Sequence, residues 1–390
     1  MLSKHLLVIS STASAIVKDK TVLNSKFVSG MEKFADGWDG PVSCLIPVYE
    51  TIEPFSEPYD TAALPFGVTH WMPGTPIAQD QLAKADVVLA SGDSSVCLDL
   101  VPMVHGIGGK IAYIIENIPE TRRRIMLLDG PRSPLRKGRA LLWMQQTERR
   151  RRRAFARADG LQVNGYPAWD LYAKLNRDPI LFLDNRISAD LLATADDIDA
   201  RHRRLLDGAP LQIVHSGRLE PLKGSHELVP IAAGLRDRNI AFELHIFGTG
   251  SLEDEMRADI GARRLDGQVH MHGSVDFTSE LVPFCRAKGD IFLSCHLQAD
   301  PSCTYLESFG AGLPVVGYDN RMWTRLQETS QAGWVSPMGN ISAMADAIAR
   351  LDQDRQGICD ASSRAHAFAA QNLFDTVFDL RLQHLQRLCA

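Results

Sequence analysis

The segment DIFLSCHLQADPSCTYLESFGAGLPVVGYDN, Asp290 to Asn320, carries two carboxylates, Asp300 and Glu307, in a polar loop and helix that follow an apolar strand. In an open α/β sheet the carboxyl end of a strand faces the crevice where ligands bind. A helix that starts there turns free N–H groups and about half a positive charge toward an anion. That arrangement suits a sugar nucleotide: the N–H groups hold pyrophosphate, and Glu307 accepts hydrogen bonds from the two ribose hydroxyls, each charge-assisted bond contributing about 1.5–3 kcal/mol. The same residues also spell an ordinary helix, with Asp300 as N-cap, Pro301 at N1 and Gly312 as the stop.

Cations precede this segment in the right kind of place. The strand at Leu211 runs into HSGRLEPLKG, which sets Gly217, Arg218 and Lys223 on the loop leaving its carboxyl end. An arginine fork and a lysine point charge meet a diphosphate there and act more strongly as it departs. The next strand, FELHIFG, ends in Gly248-Thr249-Gly250, where a backbone can approach a ligand closely. After QVHMH, Gly273-Ser274-Val275 sets Val275 under a base or forms a plain tight turn. All four loops follow successive strands of one sheet and so converge on one edge.

From about Leu211 to Gln371 the chain resembles the nucleotide-sugar domain of the retaining GT-B glycosyltransferases of family 4, also called group 1 glycosyltransferases. GRLEPLKG is similar to that family's phosphate-binding GR…KG, IFGTGSLEDEM to its G-x-G turn, and DPSCTYLESFGAGLPVVGYDN to its acidic segment followed by G-x-P-V-V. The resemblance implies Arg218 and Lys223 on the donor diphosphate and Glu307 on the ribose. It implies Cys303, Thr304 and Tyr305 at the distal phosphate, Asp300 on the donor sugar, and no metal or other cofactor. The family's first acid stands eight places before the second; here that place holds Ala299, and the acid is Asp300. The family's first-domain histidine has no direct counterpart. The strand KIAYIIEN ends in Glu116-Asn117, so Glu116 is the catalytic candidate near the transferred sugar, or a cap on the following helix. His105, before Gly106, and Asn164, which ends the strand at Gly160, are further acceptor-side candidates. His105 also suits a helix end, where the dipole favours it.

The elements that position these residues alternate. Apolar strands at His5–Ser10, Val42–Ile46, Asp86–Ala90, Lys110–Ile115 and Gly160–Asn164, then at Leu211–His215, Phe242–Phe247, Gln268–Met271, Asp290–Ser294 and Pro314–Tyr318, are separated by helical stretches. This predicts parallel sheets with helices on both faces, and with the resemblance a GT-B fold: two Rossmann-like domains with a cleft between them. The charged stretch from Asp184 to Pro210 reads as the hinge. The expected division is 1–207 for an acceptor-binding domain and 208–373 for a nucleotide-sugar domain, with a final helix at 374–390 crossing back to the first.

The chain has 390 residues, 45% of them hydrophobic, enough for two cores. Seven scattered cysteines without a CxxC pair fit a reducing cytoplasm. The opening MLSKHLLVISS reads as a strand rather than a signal peptide, and no run is long enough to cross a bilayer. Net charge is −5, yet between Thr121 and Arg157 thirteen basic residues face only Asp129 and Glu148. Interleaved with Ile125, Leu127, Leu142 and Trp143, that segment predicts a surface for anionic lipid. A solvated helix face is the plainer alternative. With the resemblance, which implies retention and no need of a metal, these features predict hexosyl transfer from a UDP- or GDP-linked sugar to a glycolipid or polyprenyl-linked glycan of cell-surface polysaccharide, by a cytoplasmic enzyme peripheral to the membrane. The competing readings are a polyanion or nucleic-acid binder using Arg149–Arg153, and a GT-B phosphorylase or epimerase. Asp197-Ile198-Asp199 and Asp352-Gln353-Asp354 spell D-x-D but follow no strand, so they read as surface chemistry rather than a metal site.

Overall fold

The computed structural model describes residues 3–52, 56–128 and 133–389. It divides into two compact units, Met1–Phe182 with Asp375–Ala390, and Leu183–Phe374.

The second unit holds a six-stranded parallel sheet in the order Val269–Gly273, Phe242–Phe247, Leu211–Ser216, Ile291–Ser294, Val315–Tyr318, Gly333–Ser336. Numbered along the chain, that is 3-2-1-4-5-6, the doubly wound order, and its direction reverses between Leu211–Ser216 and Ile291–Ser294. Both strands of that central pair are almost wholly buried, as the near-continuous apolar runs LQIVHS and IFLS require. Leu228, Ile231 and Leu235 of the helix Leu228–Asp237 and Met344 and Ile348 of the helix Ile341–Gln353 close the core around this sheet.

The first unit repeats the scheme with seven parallel strands. They run Pro179–Phe182, Gly160–Asn164, Lys110–Ile115, Val87–Ser91, Leu6–Ile9, Val42–Pro47, Gly67–Trp71, and the reversal falls between Leu6–Ile9 and Val87–Ser91. A small antiparallel ribbon, Ala15–Val17, Lys20–Asn24 and Ser56–Tyr59, is added. The C-terminal residues close the unit from the far end of the chain: the Phe378 ring meets Phe34 at 5.3 Å, and the buried Arg381 donates to Gln162 Oε1 at 2.9 Å.

The boundary falls at Phe182/Leu183, not at 207/208. The stretch read as a hinge contains the helix Ala195–Leu206, closed at its start by a Thr194/Asp197 capping box. Its charges hid an amphipathic pattern. Leu205 is fully buried in the core of the second unit, and Arg201, only 1% exposed, donates to the carbonyls of Ala311 and Gly312, both at 2.7 Å. Arg201 thereby satisfies carbonyls that the helix Thr304–Gly310 leaves open at its end.

Candidate functional site

At the reversal point of the second sheet, the loop leaving Leu211–Ser216 meets the loop leaving Ile291–Ser294. Lys223 Nζ donates to Asp300 Oδ2 at 2.6 Å, with side chains 11% and 20% exposed. Two groups 77 residues apart are thus joined at the place where a doubly wound sheet binds ligands. Burial alone would raise the Asp300 pKa, but the Lys223 charge and the neighbouring Gln298 amide outweigh it and hold the carboxyl below its ordinary range. Arg218 stands exposed on the same loop, and Glu220 beside it accepts from Ser251 N at 3.1 Å and Ser251 Oγ at 2.7 Å.

Glycines let these loops close on one another. Gly224, at φ 66°, lies where a Cβ would stand 1.9 Å from the Cys295 carbonyl oxygen. Gly248, at φ 121°, would put a Cβ 2.0 Å from the Gly217 oxygen. The Gly248 position is therefore demanded by the backbone of the adjacent loop, and Gly217 N donates to Phe247 O at 3.0 Å. This close approach sets the Gly217 loop without reference to any ligand.

Glu307, 7% exposed, is held in an unforeseen way. Arg186 donates to it through Nε at 2.7 Å and Nη2 at 3.0 Å, a two-pronged contact. The Arg186 guanidinium also lies over the Phe277 ring at 3.8 Å. Burial works against its charge, but Glu307 more than compensates, and the Arg186 pKa is raised. Each Glu307 oxygen keeps a second lone pair, so the carboxylate is oriented without being used up. Sequence reasoning missed Arg186 because the pair spans 121 residues and Arg186 sat in the stretch read as a hinge.

The helix Thr304–Gly310 begins at Cys303 without a side-chain cap. Thr304 Oγ1 pairs with Ser302 Oγ at 2.9 Å, while the Tyr305 side chain is fully buried among Ser294, Asn320 and Trp323. Only the backbone of Tyr305 is thus available to a ligand. Cys303 Sγ faces Asp184 Oδ2 at 3.9 Å, and Val275 is half-buried on the loop after Val269–Gly273.

In the first unit Glu116 and Asn164 do meet at the carboxyl edge, Asn164 Nδ2 donating to Glu116 Oε1 at 3.3 Å. The Glu116 loop is pinned by Asp93, which accepts from Glu116 N at 3.0 Å and Asn117 N at 3.3 Å and pairs with Arg122 at 2.5 Å. His105 does not join them. Its Nε2 pairs with Asp159 Oδ2 at 2.9 Å, and Asp159 and Lys110 stand where strands begin, so His105 lies at the opposite edge of the sheet. It closes the helix Leu100–Gly106, the alternative that its position before Gly106 already offered.

The basic segment is also divided. Arg122 contacts Asp93, Glu148 and Tyr172, and Arg151, 3% exposed, donates to Gly92 O at 2.9 Å and Glu148 Oε2 at 3.1 Å. Arg150 pairs with Asp99 at 2.6 Å and Arg152 with Glu148 at 3.4 Å, so the Arg149–Arg153 run is not a continuous row of free cations. Asp129 and Arg132 lie outside the described residues. Outward on the long helix Pro134–Arg157 stand Leu135, Leu142 and Trp143 at 56–67% exposure, together with the exposed Arg136, Lys137, Arg139, Arg149 and Arg153. Among the D-x-D carboxylates, Asp197 pairs with Arg286 at 2.7 Å, Asp352 pairs with Arg355, and Asp354 caps a helix by accepting from Gly357 N. Among the described residues no group of three or more His, Cys, Asp or Glu could hold a metal ion.

Two doubly wound α/β units, the second with an acidic and basic constellation at its reversal point, define a protein of the GT-B fold. Residues 196–369, inside the second unit, match the model of the family of glycosyl transferases group 1. The chain is 26% identical over 183 residues to the amylovoran biosynthesis glycosyltransferase AmsK of Erwinia amylovora, covering 45% of this chain and 43% of that one. It is 31% identical over 173 residues to phosphatidyl-myo-inositol mannosyltransferase of Mycolicibacterium smegmatis, covering 42% and 44%. These matches thus span less than half of either relative. Along nearly the whole chain, 98% of it and 99% of the other, the fold matches Anabaena Alr3699/HepE in complex with UDP, at 16% identity and a TM-score of 0.69.

Proposed function

We propose that this chain is a retaining, metal-independent glycosyltransferase of family 4. It transfers a hexose from a UDP- or GDP-linked donor to a membrane-borne glycan or lipid-linked acceptor in cell-surface polysaccharide assembly. The observation that carries the reading is the junction of Lys223 with Asp300 at the reversal point of the second sheet, with the Arg186-held Glu307 on the adjoining helix. Glu307 takes the ribose hydroxyls, Val275 lies under the base, and Arg218, Lys223 and the backbone from Cys303 to Tyr305 take the diphosphate. Asp300 takes the sugar. Glu116 and Asn164 face the acceptor.

Lys223 has three N–H groups and spends one on Asp300, so it can bridge the sugar-side carboxylate and the diphosphate. As the sugar–phosphate bond lengthens, charge grows on the diphosphate, and the fixed cations Arg218 and Lys223 stabilise it more than they stabilise the ground state. The acceptor hydroxyl attacks from the face the diphosphate leaves, and a phosphate oxygen receives its proton, so no protein nucleophile is needed. The names of two relatives, an amylovoran biosynthesis glycosyltransferase and a phosphatidyl-myo-inositol mannosyltransferase, support the acceptor class. The exposed Leu135, Leu142 and Trp143 beside cations support peripheral binding to an anionic membrane, each cation near the surface contributing about 1 kcal/mol.

The test is sugar transfer from UDP- and GDP-hexoses to a bacterial lipid extract in EDTA, with the anomeric configuration of the product read by NMR. Nucleoside diphosphate release with retention supports the proposal. Inversion, dependence on added metal, dependence on free phosphate, or sugar interconversion without an acceptor would each replace it.

A further inference from the structure

Several polar atoms around the Lys223–Asp300 junction are buried without a hydrogen-bond partner: Asp300 Oδ1, Gln298 Oε1, His296 Nδ1 and His215 Nε2. Gln298 is 8% exposed, His296 1% and His215 fully buried. A buried polar atom left unpaired is costly, so four around one ion pair mark a place that a ligand can complete. Their chemistry can be assigned. His215 Nδ1 lies 2.9 Å from the Leu293 carbonyl and must donate to it, which leaves Nε2 a bare acceptor. Gln298 Oε1 is an amide oxygen, which can only accept, so it is a bare acceptor too. Asp300 Oδ1 is the third.

We infer that Gln298 is a specificity-determining residue for the donor sugar: its Oε1, with Asp300 Oδ1, accepts hydrogen bonds from neighbouring hydroxyls of a neutral hexose, and the site disfavours uronate and N-acetylated sugars. This rests on the donor-binding reading above and names the sugar class within it. Adjacent hydroxyls supply the donors that a cluster of acceptors lacks. A uronate carboxylate supplies none and brings a second negative charge to Asp300, while Lys223 is already paired with Asp300. An acetamido group offers a single N–H and places a carbonyl against bare acceptors. The two imidazoles do not restore positive charge, since burial, aided by Lys223, holds both below the ordinary range, His215 at about 4.

The inference is tested by calorimetric titration of the full chain with UDP and GDP, and then with the glucose, galactose, mannose, N-acetylglucosamine and glucuronate conjugates of whichever base binds. The same series follows for Gln298→Leu and Gln298→Glu. The expected result is that a neutral hexose conjugate binds at least fivefold tighter than its parent diphosphate, while the N-acetyl and uronate conjugates gain nothing. Both variants lose that gain and keep the affinity for the diphosphate within twofold, which also shows that they fold. If the uronate or N-acetyl conjugate gains as much, or if Gln298→Leu keeps the hexose gain, the assignment of Gln298 is overturned while the donor site stands. If neither diphosphate binds the wild-type chain, the glycosyltransferase reading falls and takes this inference with it.

Discussion

Glu307 shows how a candidate site residue can be legible while its support is not. Its place on a helix after a strand is written in one short segment, but the arginine that orients it stands 121 residues earlier. Replacing Glu307 by Ala removes the proposed ribose acceptor and leaves Arg186 without the carboxylate it holds. Nucleoside diphosphate affinity should fall at least tenfold, as two charge-assisted bonds would require; a change within twofold, measured by calorimetry, would unseat the ribose role. Arg186→Ala should weaken the same binding by a smaller factor, about threefold to tenfold, because the carboxylate remains but is no longer held. Equal affinity in this variant would mean that Arg186 serves only the fold. The histidine at 105 illustrates the opposite case: a residue type suited to catalysis, whose helix-end position was the better guide to its partner, Asp159.

At the scale of elements, the long apolar strands of both sheets appear where their runs predicted them, because strands buried on both faces leave a dense local signal. The edge strands Gly67–Trp71, Pro179–Phe182 and Gly333–Ser336 were not foreseen, being short and only partly buried. The helix Ala195–Leu206 was hidden by its surface charges. In the first unit, Asp93 ties the Glu116 loop to the helix Pro119–Leu128 and, through Arg122 and Glu148, to the helix Pro134–Arg157. Asp93→Ala would leave Arg122 short of its strongest partner and free two loop amides. An unfolding loss of about 3 kcal/mol is expected, measured by urea titration; a loss below about 0.5 kcal/mol would show the network to be a surface feature. The helix Pro134–Arg157 should bind vesicles containing phosphatidylglycerol better than neutral ones. Leu142→Ser with Trp143→Ser should cut that binding several-fold in sedimentation, without shifting the melting temperature, since both side chains are exposed. Equal binding to both vesicle types, or to neither, would remove the membrane role.

For the whole molecule, buried imidazoles set a pH dependence. Burial is the main cause holding His215 and His245 at about 4, against an ordinary value of 6.5. Between those values the unfolded chain binds more protons than the folded one, so stability is full above about pH 6.5 and falls as pH drops toward 4. The melting temperature should decline through that interval, and His245→Phe should flatten the decline. A flat wild-type profile, or an unchanged slope in the variant, would show that these histidines do not govern acid stability. The two-unit architecture was readable from alternating strands and helices. The boundary was not, because a polar linker and an amphipathic helix carrying its own charges have similar composition.

The measurement closest to the central proposal is calorimetric titration of the full chain, without metal, against UDP, GDP, ADP and CMP. Saturable micromolar binding of UDP or GDP, weakened at least tenfold by Glu307→Ala, is the expected result. Absence of binding by all four would contradict it and leave the Lys223–Asp300 junction a structural ion pair.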